Sequence, residues 1–98
     1  MSNTLQEISE WYHAQCDGDW EHEYGIKIET TANGGWLVRC DLEFTELGHL
    51  ELPIIEKRKN DDDWSTIKIM NKQFIGSGDF QKLEFLLSEL LKFIKLNS

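Results

Sequence analysis

With 98 residues, 40% of them hydrophobic and 29% charged, residues 1–98 are expected to form a single domain, too short for a second core and too apolar to stay disordered. The net charge of -8 sits in the first half: residues 1–51 hold eleven Asp and Glu against Lys27 and Arg39, a balance of -9, whereas residues 52–98 balance at +1. Such a field repels nucleic acid and anionic lipid and draws in basic partners, which argues against nucleic-acid or membrane binding.

The N-terminus MSNTLQEISE has no basic region followed by an apolar core, so it does not read as a signal peptide. The longest apolar run, in LEFLLSELLKFIKL, is interrupted by charge too often for a membrane span. The expectation is a cytoplasmic protein, in which Cys16 and Cys40 stay reduced. The segment TLQEISEWYHAQC is predicted as a helix. Thr4 as N-cap and Glu7 three residues on have the form of a capping box, and Leu5, Ile8, Trp11 or Tyr12, and Gln15 or Cys16 recur at helical spacing. Asp17-Gly18-Asp19 then ends the helix, Gly18 being free to turn left-handed.

Next, Tyr24, Ile26 and Ile28 alternate with Lys27 and Glu29. After Asn33-Gly34, Trp36, Val38, Cys40 and Leu42 alternate with Arg39, Asp41 and Glu43, which predicts a hairpin with an aromatic and aliphatic inner face. HLELPIIEKRK continues as a third strand through Leu50, Leu52 and Ile54, with Pro53 marking an edge or a bulge. Residues 60–63 form a turn, WSTIKIM a fourth strand with Ile67 and Ile69 on one side, and KQFIG a short fifth. Asp79 is placed as the cap of a last helix, with Phe80, Leu83, Leu87, Leu90, Leu91 and Ile94 on its apolar face. The fold class expected is α+β: an antiparallel meander of four to five strands, flanked by an N-terminal and a C-terminal helix that cover one of its faces.

The densest chemistry lies in CDGDWEHEYG, residues 16–25. A calcium loop of the EF-hand type counted from Asp17 lacks glycine at its sixth position, which is His22, and the closing glutamate at its twelfth, which is Ile28. His13, Cys16 and His22 match no common zinc spacing. A nucleophilic role for Cys16 conflicts with its neighbours Asp17, Asp19 and Glu21, because carboxylates disfavour a thiolate and repel anionic substrates. Asp19 and Glu21 as a glycosidic pair lack both a cleft and any means of holding one acid protonated. No cofactor is expected. What remains is a surface for binding: acids that steer a basic partner, beside Trp20 and Tyr24, which serve either as anchors or as core.

The run from Glu10 to Leu47, with its W-Y-x-x-x-C-D-G-D-W-E-H-x-Y-G-I block and the following G-W-x-V-x-x-D-L strand, resembles immunity protein 53 of bacterial polymorphic toxin systems. NDDDW, residues 60–64, is similar to that family's acids before a tryptophan. Asn33-Gly34-Gly35 departs from the Asn-Pro-Gly expected there and alters only a turn. The resemblance implies a non-enzymatic antidote that binds and neutralises a cognate protein toxin, encoded by the adjacent gene. Many such toxins are nucleases with basic clefts, and the partner is taken to be one of these rather than a small-molecule substrate. The toxin-binding residues expected are Asp17, Asp19, Glu21 and Glu23 for steering, Trp20 as an anchor, and Asp61 and Asp62 as a second patch; Trp36 and the helix leucines are assigned to the core. The alternatives are a small enzyme using Cys16, His13 and His22 with a metal or a thiolate, and a general acidic adaptor for basic proteins.

Overall fold

The computed structural model describes residues 3–97. In chain order these form α1 (Thr4–Gln15), α2 (Trp20–Glu23), β1 (Ile26–Thr30), β2 (Trp36–Asp41), β3 (Leu52–Asn60), β4 (Asp63–Met70), β5 (Gln73–Gly78) and α3 (Leu83–Leu96). All four strand pairings are antiparallel, giving one five-stranded sheet with a helix layer, an α+β fold.

The strand order is β1-β2-β5-β4-β3, which departs from the expected meander. β1–β2, β3–β4 and β4–β5 are hairpins, but β2 pairs with β5 and β3 lies at the far edge. The cause is the connection after β2. It carries Leu42 and Leu47, both fully buried, through successive tight turns closed by Thr45 N–H to Leu42 O, Gly48 N–H to Thr45 O, and Leu50 N–H to Leu47 O. The Leu42 N–H also donates to Lys72 O in the β4–β5 turn at 2.8 Å. Burying two leucines holds this segment across the end of the sheet instead of letting it fold back as a hairpin.

The core lies between one sheet face and the helices. Val38, Cys40, Ile67, Ile69 and Phe74 meet Ile8, Trp11, Leu86, Leu87, Leu90, Leu91 and Ile94, with Trp36 partly buried against them. α3 sits close to β5 because residue 76 is glycine: a Cβ there would stand 3.1 Å from Leu86 Cδ2. α1 packs beside α3.

Local expectations are corrected at three points. α1 begins at Thr4 with Asn3 in the cap position and no side-chain cap bond, so the capping box does not form; Glu7 reaches Lys95 on α3 at 2.9 Å instead. α3 begins at Leu83, one turn later than expected, which leaves Phe80 exposed and frees Asp79 for another task. The buried Asp79 carboxylate accepts from the N–H groups of Trp64 (2.9 Å) and Gln81 (2.8 Å) and from Lys82 Nζ (2.7 Å), joining β4, β5 and the start of α3. In β3, pairing steps from Leu52–Ile69 to Ile55–Ile67, an extra residue beside Pro53. That bulge reverses the alternation, so Ile54 turns outward while Ile55 and Lys57 face the helix layer.

Candidate functional site

The loop between α1 and β1 is built by its own carboxylates. Gly18 takes φ +96°, a left-handed turn that ends the chain's run along α1. Asp17 Oδ1 accepts from the N–H groups of Asp19 and Trp20, both at 2.9 Å. Glu21 accepts from the N–H of Asp17 at 3.0 Å and of Gly18 at 2.9 Å. These bonds fold residues 17–19 into a turn leading into α2, an element that the residue pattern alone did not disclose. Backbone N–H groups favour the charged form of each carboxyl. Asp17 is held below the usual carboxylate range by the N–H groups of Trp20 and Asp19, and Glu21 by its own N–H together with those of Asp17 and Gly18.

The four loop acids therefore divide into two pairs. Asp17 and Glu21 organise the loop. Asp19 and Glu23 are exposed, and among the described residues their carboxylates take up no hydrogen bond or ion pair, so their charge is offered to solvent.

Trp20 lies beneath the loop, not on it. It is 5% exposed, its Nε1–H donates to Glu43 O at 2.8 Å, and its ring meets Trp11, Tyr12 and Tyr24 at centroid distances of 6.4, 6.0 and 6.0 Å. Of the two places the sequence leaves open to Trp20, core or outward anchor, the indole takes the buried one and supports the acids from below. The most exposed of the large aromatics among the described residues is Phe44, which is 82% exposed, has φ +61° and meets Tyr24 edge to face at 6.0 Å. The residue pattern gave no signal for it. Phe44 follows Cys40 and Leu42 in the phase that points inward, but β2 ends at Asp41 and the left-handed backbone rotates the side chain out.

Asp17, Asp19, Glu23, Tyr24, Phe44 and His22 line a cavity of about 400 Å³ whose floor is Trp20. On the far side of His22–Tyr24 a second cavity of about 650 Å³ runs between α1 and β1, past Ile8, Tyr12, Ile26 and Asp41. The Tyr24 hydroxyl, at the wall between the two, is pushed up by burial and by the nearby carboxylates of Glu43, Glu23 and Asp41.

Asp61 and Asp62 do not join this cavity. They are exposed at the tip of the β3–β4 hairpin, Asp61 3.5 Å from Arg58 Nη1. Registers place them at the opposite corner. Ile26, Cys40, Phe74, Ile69 and Leu52 mark one end of the sheet, where the acid loop enters; Thr30, Trp36, Gly78 and Ser65 mark the other, beyond which the hairpin tip projects.

His13, Cys16 and His22 do not converge, and among the described residues no group of three or more His, Cys, Asp or Glu gathers as a metal site. Cys16 Sγ donates to Tyr12 O at 3.4 Å, closing the helix end. Burial, with Asp41 adding to it, pushes the Cys40 thiol up to about 12. Among the described residues no helix is long and apolar enough to cross a membrane.

The profile of the family described as immunity protein 53 matches residues 5–95. None of the curated proteins and none of the solved structures compared matches the chain.

Proposed function

The chain belongs to the immunity protein 53 family, and from that premise we propose that it neutralises a cognate protein toxin by occupation, without catalysis, in the cytoplasm of the cell that makes it. The toxin is a basic one, of the nuclease kind, encoded beside it. Its cationic cleft is steered in by the acids of residues 1–51 and received at the loop, with Asp19 and Glu23 as direct contacts, Asp17 and Glu21 holding the loop in shape over Trp20, and Asp61 and Asp62 as a second, separate patch.

The observation that carries this reading is the juxtaposition of two unpaired carboxylates with an exposed aromatic at one cavity. Charged groups raise the encounter rate, and a desolvated aromatic supplies the short-range energy. The test is stopped-flow association with the toxin domain from the neighbouring gene. Asp19→Asn with Glu23→Gln should slow association by about tenfold at low salt and flatten its ionic-strength dependence, with dissociation little changed. An unchanged rate, with unchanged protection of toxin-exposed cells, would remove the loop from the interface.

A further inference from the structure

The two edges of the sheet are treated differently. β3 is long and exposed, and it carries Pro53, a bulge and the run Lys57-Arg58-Lys59, features that discourage another strand from pairing there. β1, at the opposite edge, has no proline and no bulge. Asp41 N–H donates to Gly25 O and Thr31 N–H to Gly35 O, which fixes the parity of the hairpin. Gly25, Lys27, Glu29 and Thr31 therefore direct their backbone groups to β2, and Ile26, Ile28 and Thr30 direct theirs away from the sheet. No side chain or loop caps those three among the described residues.

We propose that this edge pairs with a second copy of the same chain, β1 to β1 about a two-fold axis at Ile28, giving one continuous sheet across two molecules. The register follows from charge. Outward-facing residues must meet outward-facing residues, which leaves three central registers for an antiparallel pair. Centring on residue 27 sets Lys27 against Lys27 of the second copy, and centring on residue 29 sets Glu29 against Glu29. Centring on Ile28 sets Lys27 against Glu29 of the second copy, and by symmetry does so twice. Ile28 then exchanges hydrogen bonds with its own counterpart, and Ile26 with Thr30.

Two further features fit this occupant. Lys27 and Glu29 make no ion pair among the described residues, and Lys27 stands across from Arg39 on β2, a like charge that an incoming carboxylate offsets. At the axis, Ile28 is 45% exposed and borders an apolar cavity of about 640 Å³ with Leu5, itself 66% exposed, and with Leu83 and Leu87 of α3. The two-fold brings both patches together and removes them from water.

The test is sedimentation over a concentration series, at moderate ionic strength to screen two copies at -8 each. Four proteins are compared: wild type, Lys27→Glu, Glu29→Lys and the double exchange. All changes are at exposed positions, and thermal melts confirm that each protein folds. The wild type should dimerise, either single change should weaken the dimer by roughly tenfold, and the double exchange, which restores opposite charges in this register alone, should recover wild-type affinity to within about threefold. Amide exchange at Ile26, Ile28 and Thr30 should slow as the dimer forms. A wild type that stays monomeric, a dimer indifferent to the single changes, or a double exchange as weak as the single changes overturns the proposal. None of these readouts depends on the toxin.

Discussion

Phe44 combines two costs that a folded chain normally avoids, an aromatic side chain in water and a left-handed backbone in a residue with a Cβ. Both are explained if the ring is kept for a partner. Phe44→Ala is expected to weaken toxin binding by about 2 kcal/mol while the melting temperature barely moves, and Phe44→Gly should lose the same affinity with a backbone suited to the angle. Isothermal titration beside thermal melts checks both; a loss of stability without loss of affinity would return Phe44 to a structural role. Trp20 should behave in the opposite way. Trp20→Ala removes a buried ring and a hydrogen bond to Glu43 O, so it should cost about 3–5 kcal/mol of stability in denaturant titration. The density of acids around residue 20 was legible in the sequence. The division into loop-building and solvent-facing pairs was not, because a carboxylate's residue type does not say whether its oxygens meet N–H groups or water.

At the level of elements, the join between β4, β5 and α3 depends on Asp79. Its carboxyl is held at about 2, below its ordinary 3.8, chiefly by the bond from Lys82 and further by the N–H groups of Trp64 and Gln81. A carboxyl depressed in the folded state contributes stability that is complete above the unfolded value and is lost as pH falls through the folded one. The wild type should therefore lose stability between about pH 4 and pH 2, with Asp17 and Glu21 contributing in the same direction. Asp79→Asn should be less stable at neutral pH and show a shallower fall over that window, as read by denaturant titrations at stepped pH; an identical slope would mean that the clasp does not carry the effect. Apart from the short α2, helix and strand identities were readable from periodicity, and the edge position of β3 from Pro53. Boundaries were less so. Asp79 looked like a helix cap because Asp, Ser, Thr and Asn at such a place usually are, but its carboxylate also accepts from Trp64 on a neighbouring strand, fifteen residues away in the chain.

For the molecule as a whole, the two acidic patches lie at opposite corners of the sheet, and the described residues extend 42 Å along their longest axis. A partner that meets both must reach from one corner of the sheet to the other, and separated sites with no shared contacts act independently. On the logarithmic scale of association rate, the effects of Asp61→Asn with Asp62→Asn and of Asp19→Asn with Glu23→Gln should add to within about 0.5 kcal/mol, measured by stopped flow on the combined variant. Strong coupling would mean that the loop and the hairpin move together on binding. Strand order was the largest feature hidden in the sequence. Alternation assigns faces but not neighbours, and only the burial of Leu42 and Leu47 explains why the chain crosses the sheet's end after β2.

The position of β5 carries a consequence in time. β5 lies between β2 and β4 although it follows both in the chain. On the ribosome, the β1–β2 and β3–β4 hairpins emerge as two halves with no seam to join them. Val38 and Cys40 on one half, and Ile67 and Ile69 on the other, wait uncovered for Phe74 and the leucines of α3. The acid loop is translated before β5, yet Trp20 and its neighbour Trp11 brace it against segments that settle only when this seam is closed. The loop therefore reaches its folded form only after β5 has slotted into the middle of the sheet, so its shape is set by the closing of that seam and not by its own earlier appearance.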